Sequence, residues 1–158
     1  MLIIADTSAL ITLATCNGLR WLDNLFEKIQ VPQAVYNEAI KQGKPQAKRL
    51  SDYLADKIMP INLDAFVIVT PKLGKGELEA MALYKHQKAQ YLLIDDLLAR
   101  KTAQHNGINI IGSIGILLLA KENGFIPKIK PYLEMIQQSN IHISQRLINE
   151  ALKIAGEA

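Results

Sequence analysis

Short, unbroken apolar runs alternate along this chain with longer stretches in which apolar side chains recur every third or fourth position. The runs are Leu2-Ile3-Ile4-Ala5, Phe66-Val67-Ile68-Val69, Tyr91-Leu92-Leu93-Ile94 and Ile108-Asn109-Ile110-Ile111, with residues 29–31 a weaker candidate ended by Pro32. A continuous rather than alternating apolar run is what a strand shows when both its faces are buried, as in a parallel sheet. The helical spacing falls at about 8–27 in one or two pieces, then 32–42, 45–56, 75–88, 96–106, 113–123, 128–138 and 144–154. Strands separated by helices are the mark of βαβ units. The expectation is an α/β fold around a mostly parallel sheet of four to five strands.

Punctuation agrees with these limits. Pro32 suits a first helical turn, Gly107 and Gly124 suit C-terminal caps, and Ser113 and Ser144 suit N-caps. Two of the runs stop at acids, the first at Asp6 and the third at Asp95-Asp96. Parallel strands present their carboxyl ends along one edge, where ligand crevices form, so these acids can meet despite their separation in sequence. Each also has an ordinary explanation. Asp6 can cap the helix that follows, and one of Asp95 and Asp96 can do the same, though not comfortably both. Glu38 lies near the apolar side of its helix and can simply pair with Lys41 or Gln42. Glu77 follows the glycine-rich Leu73-Gly74-Lys75-Gly76, where a first-turn acid is favoured by the helix dipole.

Composition narrows the class. A chain of 158 residues that is 49% hydrophobic and 21% charged fits one globular domain, here residues 1–158, with a substantial core. The longest apolar run, Ile114 to Ala120, is far short of the roughly 20 residues a membrane span needs, and no basic region precedes the first run. A cytoplasmic protein with no membrane association is expected. The lone Cys16 is expected as apolar filler, and Trp21 as core or a dimer contact. A net charge of +3 permits a polyanionic partner without demanding one. Lys72, Lys75, Arg100 and Lys101 flank the later acids, while Lys44, Lys48 and Arg49 follow Glu38; they can touch phosphates, or form a solvated face, and Arg100 can pair with Asp96 four residues earlier. His86, His105 and His142 lack metal-ligand spacing, and no Walker or dinucleotide fingerprint is present.

The order of these features resembles the PIN-domain nucleases. Ile4-Ala5-Asp6-Thr7-Ser8-Ala9-Leu10-Ile11 resembles the opening motif of that family, and Val31-Pro32-Gln33-Ala34-Val35-Tyr36-Asn37-Glu38 its second acidic segment. Leu73 to Ala80, then Leu93-Ile94-Asp95-Asp96-Leu97-Leu98-Ala99-Arg100, then Ile111-Gly112-Ser113-Ile114-Gly115-Ile116-Leu117, are similar to a prokaryotic subgroup close to the VapC-like toxins. The third acid departs from the commoner pattern, being Glu77 after a glycine where many relatives place an aspartate. Glu79, two positions on, points to another side of the helix and is read as structural.

The resemblance implies a three-layer α/β/α fold and a metal-dependent ribonuclease. Clustered carboxylates repel unless a cation is shared, and all-oxygen ligation suits Mg2+ or Mn2+. By this resemblance Asp6 is the principal ligand, joined by Asp96 or Asp95; Asp96 better matches the spacing of relatives, while Asp95 ends the strand directly. Glu38 and Glu77 would hold metal-bound waters or a second ion. Ser8 and Thr7 would orient Asp6 or touch the scissile phosphate, Ser113 would act from its helix N-terminus, and Lys75 and Arg100 would contact substrate. VapC-like proteins form homodimers held inactive by a small antitoxin, so both partners are expected here. The competing reading is a catalytically inactive PIN-like module that binds RNA or protein.

Overall fold

The computed structural model of the chain describes residues 1–63 and 73–158. The strand expected at 66–69, and Lys72, lie outside the described residues. The chain runs β1 (Leu2–Ala5), α1 (Thr7–Thr15), α2 (Leu19–Leu25), β2 (Lys28–Pro32), α3 (Gln33–Ala39), α4 (Ala47–Leu54), β3 (Ile58–Met59), α5 (Lys75–Gln87), β4 (Tyr91–Leu93), α6 (Leu97–His105), β5 (Ile110–Ile111), α7 (Ser113–Glu122), α8 (Lys130–Gln137) and α9 (Gln145–Ile154). Among the described residues the strands form one sheet in the order β3-β2-β1-β4-β5, with every pairing parallel. Helices cover both faces, giving three α/β/α layers.

The weak candidate at 29–31 is a full partner of β1, with Ile3 beside Ile29 and Ile4 beside Gln30. Its polar Lys28 and Gln30 had disguised it, because they break the apolar run that marks a doubly covered strand. The two-residue β3 is too short to carry any period and was not legible at all. Gly107 and Gly124 do end helices, at φ of +72° and +79°, where a side chain would be strained. Ser144 caps α9, accepting from the Leu147 amide at 3.2 Å. Pro32 stands one residue earlier than expected, at the N-cap of α3.

The core is continuous: β1 contributes Ile3, Ile4 and Ala5, α1 contributes Leu10 and Leu13, and Trp21 stacks edge-on against Tyr132 with ring centroids 4.9 Å apart. No helix among the described residues is long and apolar enough to cross a membrane. The decisive feature for function is the reversal of strand order at the centre. From β1 the chain crosses toward β2, whereas from β4 it crosses toward β5. Right-handed crossovers running in opposite directions put their connecting helices on opposite faces, and the split between them opens a crevice at the carboxyl ends of β1 and β4.

Candidate active site

Asp6 is the first residue past β1, and its amide extends the ladder to the Leu93 carbonyl at 2.8 Å. This bond seats it in the crevice. The side chain is only 4% exposed, and its Oδ1 is buried without a hydrogen-bond partner. Although Asp6 occupies the N-cap position of α1, its side chain makes no cap bond, so the capping role expected of it is not realised. Burial is the main influence on its acidity. It is opposed by the Thr7 amide and reinforced by the charges of Glu77, Glu38 and Asp95, and together these push the carboxyl from 3.8 up to about 7. A carboxylate held this way needs a counter-charge.

Glu38 does not pair with Lys41 or Gln42. It accepts from Thr7 Oγ1 at 2.8 Å and from the Gly76 amide at 3.2 Å, tying α3 to the first turns of α1 and α5. The Thr7 hydroxyl is therefore spent on Glu38 rather than on orienting Asp6. Gly76 makes this approach possible: a Cβ there would sit 2.6 Å from Glu38 Oε1. Glu77 Oε1 accepts from the Gly74 amide at 3.1 Å, which closes the first turn of α5 as a first-turn acid should. Burial pushes its pKa above the usual carboxylate value too, opposed by that amide and helped by Asp96 and Glu38.

Asp95 and Asp96 each cap a helix, contrary to the expectation that only one would. Asp96 Oδ2 accepts from the Ala99 amide at 2.9 Å and so caps α6. Asp95 reaches across to α7, where Oδ1 accepts from the Ser113 amide and Oδ2 from the Ser113 hydroxyl, both at 2.7 Å. Ser113 is thus not the N-cap of α7, a position held by Gly112, but its first helical residue and the clamp on Asp95. A Cβ at Gly112 would come within 2.6 Å of Arg100 Nη1 and 3.1 Å of Asp95 Oδ1. Arg100 makes no ion pair with Asp96; it donates to the Ile94 carbonyl at 2.9 Å and braces the end of β4. Ser8 is exposed next to Thr7. Lys75 is exposed and lies 3.9 Å from Glu79, which is buried and accepts from the Ala34 amide at 3.2 Å, the structural role expected of it.

Gly76 and Gly112 were missed as parts of the site. The only local signal was a glycine one residue before Glu77 and another before Ser113; the acids they accommodate, Glu38 and Asp95, are distant in sequence.

No group of three or more His, Cys, Asp or Glu side chains among the described residues is arranged as a ready-made cage for a metal ion. A hard divalent cation that keeps most of its waters needs only one or two direct carboxylates, and the donors here are all oxygens. Asp6 offers its unpartnered Oδ1, and Asp96 commits only one oxygen to its helix whereas Asp95 commits both. The residues present fit such an ion.

A family model described as a PIN domain matches residues 2–157. No curated protein and no solved structure gave a match to the chain. The matched span takes in every strand and helix among the described residues and all five acids of the crevice, and on that basis the chain belongs to the PIN-domain family, whose fold is that of generally metal-dependent nucleases.

Proposed function

We propose that this chain is a cytoplasmic endoribonuclease that uses Mg2+ or Mn2+ and serves as the toxin of a type II toxin–antitoxin pair. The observation that carries the reading is Asp6: a buried carboxylate with an unpartnered oxygen, set at the strand-order reversal and acted on by the charges of Glu77, Glu38 and Asp95. When bound, the metal supplies an activated water and offsets charge on the phosphate oxygens. Asp6 binds it directly, with Asp96 as second ligand. Asp95, locked by Ser113, adds fixed negative charge and holds the crevice open. Glu38 and Glu77, each restrained by a backbone amide, accept hydrogen bonds from the waters and fix their orientation. Ser8 and Lys75, both exposed at the rim, contact the phosphate; Arg100 and Ser113 position the acids. The active form is a homodimer, inhibited by a small antitoxin.

The test is cleavage of a labelled single-stranded RNA pool with Mg2+, Mn2+ or EDTA, using the native chain, Asp6→Asn and Asp96→Asn. Metal-dependent cutting that both substitutions abolish is the expected result. RNA binding without cutting under any condition would make the protein a binding module, a reading favoured by the engagement of Glu38, Glu77, Asp95 and Asp96 in helix-terminal hydrogen bonds. Growth arrest on expression, relieved by a small co-expressed partner, tests the toxin role separately.

A further inference from the structure

A cleft lies at the far end of α1. Thr7, the first residue of that helix, bonds Glu38, while the carbonyl of Ala14 near its last turn accepts from Arg49 Nη1 at 2.7 Å. Seven residues of α-helix separate these contacts by about 10 Å. Arg49 Nη1 also donates to Asn17 Oδ1 at 2.7 Å, and Asn17 stands at φ +59°, a left-handed conformation asparagine tolerates. These bonds hold the guanidinium against the wall of a cleft of about 420 Å³ lined by Asn17, Leu19, Arg20, Arg49, Asp52 and Tyr53. It is a shallow depression open to solvent rather than an enclosed pocket.

The charge of this cleft is unbalanced. Among the described residues neither Arg20 nor Arg49 has a carboxylate within ion-pair distance, while Asp52 faces Lys48 at 4.0 Å and the Tyr53 hydroxyl is spent on Asp23 at 3.1 Å. The chain segment that leads from Glu38 to this cleft is basic as well. Between Glu38 and Asp52 the sequence carries Lys41, Lys44, Lys48 and Arg49 and no acid, all four exposed. Tyr36 of α3 reaches Ser51 of α4 at 3.4 Å, so the two helices that bracket this basic segment are packed together.

We propose that the cleft binds the phosphate of a nucleotide flanking the scissile one on the RNA strand, held by Arg20 and Arg49, while the Tyr53 ring is covered by the Lys57 ammonium 4.3 Å from its centroid. This assignment rests on the ribonuclease reading above. A regularly spaced polyanion is the partner that an unpaired Arg cleft, joined by lysines to a phosphodiester site, complements.

The experiment measures binding of labelled single-stranded RNA in EDTA across a salt series, comparing the native chain with Arg20→Gln and Arg49→Lys. A long oligomer is set against a dinucleotide, whose single phosphodiester cannot occupy the acidic crevice and the cleft at once. Arg20 is exposed and makes no structural bond, so its substitution should leave the melting temperature unchanged. Each lost phosphate contact lowers the salt slope by about 0.7, which is about fivefold in affinity near 0.1 M salt. Arg20→Gln should show that loss for the oligomer and none for the dinucleotide; Arg49→Lys, which keeps charge but not the fork, should show a smaller one. Native affinity and slope in Arg20→Gln would overturn the subsite and leave the ribonuclease reading intact. A native chain that binds no RNA would overturn both. Tighter Arg20-dependent binding of an acidic peptide than of RNA would reassign the cleft to a protein partner.

Discussion

Asp6→Asn should make the protein more stable near pH 8, and by less near pH 5. In the folded chain burial and the neighbouring acids hold the Asp6 carboxyl at about 7 against 3.8 in the open chain. Between those values the folded state keeps a proton that the unfolded state has lost, so stability falls as pH rises, by about 1.4 kcal/mol for each pH unit. Above pH 7 the accumulated penalty is about 4 kcal/mol on this reckoning. Asparagine keeps the shape and removes the charge, but it places amide N–H groups where Oδ1 now has no partner, at a cost of about 1–3 kcal/mol. Near pH 8 the balance is a gain of about 2 kcal/mol, or about 4–8 °C in melting temperature. Near pH 5 only about the first third of the penalty has developed, and the two effects cancel. The assay is urea unfolding in EDTA, which keeps adventitious cations from offsetting the charge. A variant no more stable at the higher pH, or one whose advantage fails to grow with pH, would refute the view of Asp6 as an uncompensated buried carboxylate.

Mg2+ should raise the melting temperature of the native chain, by the equivalent of about 2.7 kcal/mol at a hundredfold excess over its dissociation constant, and should leave Asp6→Asn unmoved; scanning calorimetry reads both. Gly76→Ala should displace the Glu38 carboxylate, a flexible group that can swing aside, at about 1 kcal/mol for the lost bond, and the same change in a Glu38→Ala background should cost nothing. A double-mutant cycle by urea unfolding distinguishes this from a backbone effect. Ser113→Ala should cost about 1–2 kcal/mol by leaving Asp95 Oδ2 without its donor, with Ser113→Thr largely neutral in the same assay. Glu157→Gln should loosen the end of the chain, because that carboxylate accepts from the Ile129 and Lys130 amides and pairs with Lys121 at 3.0 Å; faster proteolysis beyond α9 is the readout.

Much of this protein is local, and what is local can be read. Helices declare themselves through a period repeated over two or more turns, which is why the expected limits of α5, α6, α7 and α9 fall within a residue or two of those observed. Asp6 and Asp95-Asp96 were conspicuous because a charge ending an unbroken apolar run violates the pattern around it. The strands were less legible. Lys28 and Gln30 interrupt β2, and β3 has only two residues, so their place in the sheet depends on neighbours and not on their own sequence. Glu77 and Asp96 make bonds within their own helix starts, whereas the fate of Asp6, Glu38 and Asp95 is a matter of packing. Glu38 faces Thr7 31 positions away and Gly76 38 positions away, and Asp95 finds Ser113 18 positions away, distances no periodicity can bridge. Taken alone, each of these residues is an ordinary helix acid or cap. The sequence by itself determined the order of elements and the residues that end β1 and β4; the tertiary structure decided which acids meet, which are restrained by amides, and that among the described residues Asp6 alone is left buried with an unpartnered oxygen. The reason is physical: secondary structure follows short-range spacing, whereas burial and charge depend on every group brought within a few ångströms when the two halves of the sheet close around the crevice.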